Sequence, residues 1–558
     1  MSTPVDPYRA YLWQPTPHGL DAVYDQEIRP PYSTTESAQV QNELVRLFAG
    51  QKCKLIFGNR HASPSPTWRD EYIGDLSLRA SSRFAVRVHL FEDTSSSSAA
   101  DPRSRAGKYL GFVCLRPPQV NSKSAPQPKQ EFQPGLGFNY VIEAELTCPR
   151  QMLRPRYDIL QTTVSSARLG VLPFRSATFM TARRGEMHAG TCVHLAVSQA
   201  LHLIMAHFGS KPISQGEFEA ILWKQRAGTT VQQIATKGVG LEEALKVVQE
   251  ACNAGGFIVD VSKYLGCYNQ EAIRRESLRC LTDILANGLP CVLMVEHNTL
   301  LRHRYVGDDL KGKKKPQPHA LFVFGMHLLH SPNETGMLPG AEVREDEAEL
   351  PGRFVGHDVL DGAYTEWNVK QLFDAALACP HSKRDKPGRI IRGIRFLALG
   401  PKGLQIGLHQ VRYLARQIVG GDYLNNAARY NNYYKQFALE RAPKNPMHWR
   451  YVTRLITRQE VVTRYLSGTR SQQKSQELDR LFTDNAIPLS ESDYCWAVEL
   501  NLPGYQTRRI NEPEVRWHPG PLLVQLWSIK DEYAQGTGAA PRASLLRIAK
   551  QNYKVLRF

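Results

Sequence analysis

The chain contains no run of about 18 apolar residues, so no membrane-spanning helix is expected. It also lacks any Cys-x-x-Cys pair. Its ten cysteines stand apart at positions 53, 114, 148, 192, 252, 267, 280, 291, 379 and 495. That scatter speaks against a disulfide framework and against a structural zinc site. Most of them, Cys114 and Cys291 among them, sit between apolar neighbours, which is the setting of reduced core thiols. Acidic residues are in deficit: 53 Asp and Glu against 70 Lys and Arg leave a net charge of +17. Such a balance suits nucleic acid, anionic lipid or an acidic protein as partner, and bears on association rather than on fold. No internal repeat, zinc finger or glycine-rich aromatic strand is present, so no recognised nucleic-acid module is indicated. The first residues, Met1-Ser2-Thr3-Pro4-Val5-Asp6-Pro7, lack a basic start followed by an apolar core, so no secretory signal is expected and cytoplasmic residence is the default.

What is present is a chain of 558 residues with ordinary globular composition, 42% hydrophobic and 22% charged. That length accommodates two or three domains with sizeable cores. Residues 1–30 are rich in proline and aromatics, and are expected to form an extended arm. From 35 to 150 the pattern is mainly β. Phe84, Val86, Val88 and Leu90 alternate with Ala85, Arg87 and His89, the period of a half-buried strand. Tyr109 to Arg116 is another predicted strand, stopped by Pro117-Pro118. The serine run 94–100 and the Pro/Gln/Lys-rich tract 121–134 are predicted loops.

Beyond residue 170 the periodicity changes. Thr191 to Phe208 is apolar on nearly every face, which predicts a central buried helix. Helices are expected over 215–224, with Ser214 as N-cap, and over 241–252. Short core strands are expected at 291–295, 322–326 and 353–357, followed by a helix over 367–375. From 404 to 482 the chain is basic and predicted helical. A β section is expected near 494–500 and a last basic helix near 543–553. The expected architecture is therefore α+β in three parts: a β-rich region with its arm over 1–165, a central domain over 166–400, and a basic, mainly helical region over 401–558.

Three local patterns in the central part carry chemistry. In His188-Ala189-Gly190-Thr191-Cys192 a glycine-led turn delivers a cysteine onto the first turn of an apolar helix. There the unpaired backbone N–H groups and the helix dipole favour a thiolate. In Pro318-His319-Ala320-Leu321-Phe322-Val323-Phe324-Gly325 a histidine stands at the mouth of an apolar strand, and Phe354-Val355-Gly356-His357-Asp358 ends a strand on a carboxylate. Cysteine, histidine and acid in that order suggest a nucleophile, its base and the group that orients the base. Asp361 and Asn333 are alternative orienting residues. His194 is read as structural.

These patterns, together with Gly288-Leu289-Pro290-Cys291-Val292-Leu293 ahead of the histidine strand, resemble the papain-like cysteine peptidases over residues 170–400. Within that family the similarity is to the branch of bacteriocin-processing (double-glycine) peptidases. The resemblance implies a central helix packed on an antiparallel sheet, and Cys192, His319 and Asp358 as catalytic residues with no cofactor or metal. It also implies an oxyanion hole made by the Cys192 N–H and an upstream side chain. The family places glutamine six residues before the cysteine, where this chain has Glu186. An ionised Glu186 would repel an oxyanion, so either it is protonated, or another donor such as His188 serves, or the enzyme is impaired.

The reading that follows is a cysteine peptidase acting on a protein or peptide. Deamidation or acyl transfer by the same nucleophile is a further alternative, because nothing in the sequence selects water as acceptor. A catalytically degenerate papain-like protein that binds nucleic acid or an acidic partner is the alternative from a different class. It would use the basic C-terminal region, where Arg454, Arg458 and Arg464 would share part of one helical face.

Overall fold

Among the described residues every strand pairing is antiparallel, and helices are gathered between and outside the sheets. This is the α+β class that the sequence predicts. The structure is a computed structural model and describes residues 8–13, 40, 42–44, 46–47, 53–58, 86–92, 109–115, 138, 140–154, 156–165, 173–181, 189–213, 215–226, 239–266, 269–304, 318–328, 351–379, 393–412, 450–466, 493–501 and 522–530.

The first sheet has seven strands: β1 (Tyr8–Trp13), β2 (Cys53–Gly58), β3 (Val86–Glu92), β4 (Tyr109–Leu115), β5 (Val141–Thr147), β7 (Thr162–Ser165) and β8 (Pro173–Met180), ordered β1-β2-β3-β4-β5-β8-β7. Two expectations are corrected here. The N-terminal arm is not merely extended: its residues 8–13 pair with β2 along their whole length. The sheet also does not stop at residue 165, since β8 pairs with both β5 and β7. The remoteness of β8's partner β5 hid it, as did Ser176 and Thr178, polar residues that are buried rather than exposed. Likewise His89, placed on the wet face by alternation, is fully buried, with its Nδ1 2.9 Å from the Tyr109 hydroxyl.

Helix α1 (Ala189–Phe208) follows, then α2 (Gln215–Gln225) and α3 (Leu241–Ala251). The second sheet is ordered β13-β12-β11-β10-β14-β9, from β9 (Ala254–Asp260), β10 (Cys291–Glu296), β11 (Pro318–Leu328), β12 (Pro351–Asp358), β13 (Gly362–Asn368) and β14 (Arg395–Pro401). The short β6 (Tyr157–Ile159) adds to β11. Helices α4 (Val261–Leu265), α5 (Gln270–Ala286), α6 (His297–Arg304) and α7 (Val369–Ala378) fill the crossings.

Strand alternation explains how this sheet holds two cores. Ala320, Phe322, Phe324, Val292, Leu397 and Leu399 join α1 and the first sheet in one apolar cluster. Their neighbours Leu321, Val323, Leu293, Val295, Phe396 and Ala398 join α5, α7 and the C-terminal strands in another. Helix α1 is thus covered on both sides, which is why it is apolar all round.

The C-terminal part is corrected most. Residues 450–457, expected to be helical, form strand β15 (Arg450–Thr457), which pairs with β16 (Tyr494–Asn501), itself paired with β17 (Leu522–Ser528). Val452, Thr453, Ile456 and Thr457 are β-branched and resist helix. The following helix α8 (Arg458–Leu466) begins at a capping box: the Thr457 hydroxyl accepts from Glu460 N–H at 3.1 Å, while the Glu460 carboxylate accepts from Thr457 N–H at 2.6 Å. Arg454 therefore lies on a strand and Arg458 on a helix, so they do not share a helical face. The expected helix at 543–553 and both loops (94–100 and 121–134) lie outside the described residues. Among the described residues no helix is long and apolar enough to cross a membrane.

Candidate active site

Cys192 stands in the first turn of α1 and is 5% exposed. It is the fourth residue of the helix, at the positive end of the helix dipole. Gly190, two residues before it, belongs to the same first turn. The rest of α1 is anchored by the enclosing core, by Gln199 Nε2–H donating to Met180 O (3.1 Å), and by Ser210 Oγ–H donating to Leu201 O (2.8 Å) just past its end.

His319 is the second residue of β11 and is buried. Its position is set by pairing with β10, in which Val295 lies opposite His319. On the other side Phe322 pairs with His357, so the continuing register sets Asp358 against Leu321. Asp358 and His319 are then diagonal neighbours on one face, within reach of each other across the strands. On its other edge β12 pairs with β13, and that pairing carries a bulge between Gly356 and Asp358. A Cβ on Gly356 would lie 2.1 Å from Phe322 O and 2.7 Å from the Trp367 ring, so only glycine permits this close approach.

The result is a direct hydrogen bond: His319 Nε2–H donates to Asp358 Oδ1 at 2.9 Å. Asp358 is fully buried, and the same oxygen accepts from Leu360 N–H at 2.8 Å, which holds the carboxylate in the β12–β13 turn. With Nε2 committed to Asp358, Nδ1 is the nitrogen left for the thiol, and His319 is also hydrogen-bonded to the Cys192 side chain.

The electrostatics follow from this packing. Burial by itself disfavours a charged His319. It is overridden by the negative charges of Cys192 and Asp358 and by the hydrogen bonds to both, which hold the imidazolium well above its ordinary range. For Asp358, burial again opposes charge. The His319 charge and hydrogen bond, a smaller contribution from His297 and the Leu360 N–H outweigh it and hold the carboxyl well below the usual carboxylate range. His319 thus stands between Cys192 and Asp358 and is hydrogen-bonded to both.

Of the alternative orienting residues, Asp361 lies in the turn after Asp358, where its N–H donates to Asp358 O at 3.2 Å, and it is not the acid bonded to His319. Asn333, Glu186 and His188 lie outside the described residues, as do most of the 331–352 insertion and the lysine run 311–315. His194 is on the part of α1 turned toward α2. It is buried against Phe218 with Nε2 3.2 Å from Ser198 Oγ, and burial pushes it down to about 4, so it stays neutral. This is the structural role that the sequence suggests.

One residue at the site escaped sequence reading. His297 follows β10 directly, and its ring lies 5.2 Å from that of His319, centroid to centroid, in an edge-to-face arrangement. The signal was available: β10 runs antiparallel to β11, so whatever ends β10 must land beside whatever starts β11. Cys114, Cys148, Cys192, Cys252, Cys280, Cys291, Cys379 and Cys495 are buried and form no disulfide. The Cys148, Cys252, Cys379 and Cys495 thiols are pushed up to about 12, chiefly by burial. Comparison with protein-family models, with curated proteins and with solved structures finds nothing that matches this chain.

Proposed function

We propose that α1 and the second sheet, within residues 189–401, form a papain-like core and that the protein is a thiol hydrolase, a cysteine peptidase acting on a protein or peptide. The observation that carries this reading is the buried Asp358–His319 pair joined to a cysteine at the start of a helix. A buried carboxylate and imidazole are costly to desolvate, and their retention in contact with a thiol has a chemical rationale in activating it.

In this reading His319 Nδ1 accepts the Cys192 proton, giving a thiolate and an imidazolium. The sulfur attacks the carbonyl carbon of the scissile amide, and the C=O π electrons move onto oxygen. The Cys192 N–H meets that oxyanion, together with a side-chain donor from the segment that carries Glu186 and His188. Collapse re-forms the C=O and breaks the C–N bond, and the imidazolium gives its proton to the departing amine. Water, deprotonated by His319, then cleaves the thioester and restores the thiol. Asp358 stays ionised throughout and keeps Nε2–H directed away from the sulfur.

The test is the rate at which iodoacetamide alkylates Cys192 between about pH 5.5 and 9, site-mapped by mass spectrometry, beside the His319→Ala variant. Fast labelling that persists at the acidic end and vanishes in the variant supports the pair. A rate that rises only near about pH 8.5, as for a free thiol, overturns it. A peptide-library digest with the wild type and Cys192→Ala then separates hydrolysis from an inert pair.

A further inference from the structure

His297, which follows β10 beside His319, takes part in no step above. It is 5% exposed, and its Nδ1 is buried without a hydrogen-bond partner. Across the site, Asp358 Oδ2 is buried and also without a partner. What His297 presents to His319 is the edge-to-face contact of its ring, 5.2 Å away centroid to centroid.

The charged groups around it are few. On its own segment, Glu296 spends its carboxylate on the start of α6, accepting from Asn298 N–H, Asn298 Nδ2–H, Thr299 N–H and the Thr299 hydroxyl. From β11 comes His319, and from β12 Asp358. Helix α7, which packs beside α6, contributes Gln371, whose Nε2–H donates to Leu300 O. Burial, then the positive charge of His319, push His297 down to about 4 against the weaker pull of Asp358 and Glu296. It is therefore a neutral ring at physiological pH, set edge to face against an imidazolium.

We infer that His297 is a positioning residue for the thiol site: its neutral ring is the wall that holds the His319 imidazole in line between Asp358 and Cys192. His319 has two hydrogen-bonding nitrogens in use, but two in-line bonds leave its plane free to rock about their axis. A flat ring against it removes that freedom. The same position must not carry charge. A cation 5.2 Å from the imidazolium would disfavour it on the order of 100-fold at an effective dielectric of about 20. This inference rests on the thiolate–imidazolium reading, and its test separates the two.

The experiment uses the full-length chain with His297→Ala, His297→Phe and His297→Arg, each checked for thermal unfolding near the wild type. Cys192 alkylation is followed at about pH 6, where only a paired thiol is ionised, and at about pH 9.5, where any accessible thiol is. With His297→Ala, the pH 6 rate is expected to fall at least roughly tenfold, because small misplacements of a reacting group cost that much or more. The pH 9.5 rate should hold within about threefold, showing unchanged access. His297→Phe, which restores the ring without the charge, should recover the pH 6 rate to within about threefold of wild type. His297→Arg should give the profile of an ordinary thiol, rising only near about pH 8.5.

If the alanine and arginine variants both keep the wild-type pH 6 rate, or if phenylalanine is as impaired as alanine, the positioning role is wrong while the pair stands. If the wild type itself shows no acid-range labelling, the pair fails first.

Discussion

Replacing Tyr364 with phenylalanine removes one oxygen atom from the point where the two large sheets meet. Tyr364 is on β13, buried, and held at a φ of +51°, in the left-handed region that a bulky residue rarely adopts. Its hydroxyl crosses to the first sheet. It donates to Leu146 O at 2.7 Å and accepts from Ala177 N–H at 3.1 Å, while Gln161 Nε2–H reaches it at 3.4 Å. Leu146 and Ala177 face each other across β5 and β8, so the phenol stands in for a ladder bond between them. Without it, a buried carbonyl and a buried N–H lose their partners. At about 1–3 kcal/mol each, the loss comes to roughly 2–6 kcal/mol, with Gln161, half-buried, turning to water. Urea unfolding of both proteins at neutral pH measures the difference directly, with equal slopes required for the comparison. The Tyr364 N–H still donates to His357 Nδ1, and His357 Nε2–H still donates to Ala177 O, so the backbone next to Asp358 keeps its hold. Cys192 labelling at about pH 6 should therefore stay within about threefold in the folded variant. A stability loss below about 1 kcal/mol would refute the account, because it would mean that Leu146 and Ala177 close their own bond when the phenol is gone.

Three further outcomes are expected. Stability should fall steeply between pH 6.5 and 4, because burial holds His194 and His297 at about 4 and His357 at about 3, while the unfolded chain takes up their protons from its ordinary value of 6.5. Each group has a lowered folded value, so its contribution is complete above 6.5 and is lost downward. At about 1.4 kcal/mol per unit each, the three together remove about 4 kcal/mol per pH unit, and urea midpoints that stay level from neutrality to about pH 5 would contradict this. His319 has the opposite sign: its contribution holds below 6.5 and fades as pH rises through its raised value, so it does not compensate on the acid side. Asp358→Asn should cut acid-range Cys192 alkylation by about 10- to 100-fold, the worth of a charge-assisted bond, and an unchanged rate would remove Asp358 from the site. Gly356→Ala should cost at least about 1–3 kcal/mol in thermal or urea unfolding, since the added methyl meets backbone oxygen.

How much of this was legible follows from how local each signal is. Cys192, His319 and Asp358 could each be read from a few neighbours: a glycine before an apolar helix, a histidine opening an apolar strand, an acid closing another. The choice of Asp358 over Asp361 could not, because it depends on the β11–β12 register. Strand β9 was hidden by Gly255-Gly256, which look like a loop. A Cβ on Gly255 would meet Leu404 N at 2.5 Å, so glycine is demanded by close packing rather than by a turn. Helix α5 is amphipathic but strongly charged, and β14 finds its partners β9 and β10 far away in sequence. In the C-terminal part the sequence suggests helix, where β-branched residues and the Thr457 capping box decide otherwise.

The same division between local and non-local signals accounts for His297. Read alone, Glu296-His297-Asn298-Thr299 is a helix start, and the histidine has no more claim to chemistry than any other. Only the pairing of Val295 with His319 turns it toward the site. The buried acid, the base and this neutral ring come from the ends of three adjacent strands, β12, β11 and β10, in that spatial order. Helix α1 brings Cys192 to the same group. A displacement of any one strand end therefore moves the base relative to the sulfur. On this reasoning Gly356 and His297 bear on the chemistry without touching a substrate: the first lies at the bulge that ends on the acid, and the second backs the base.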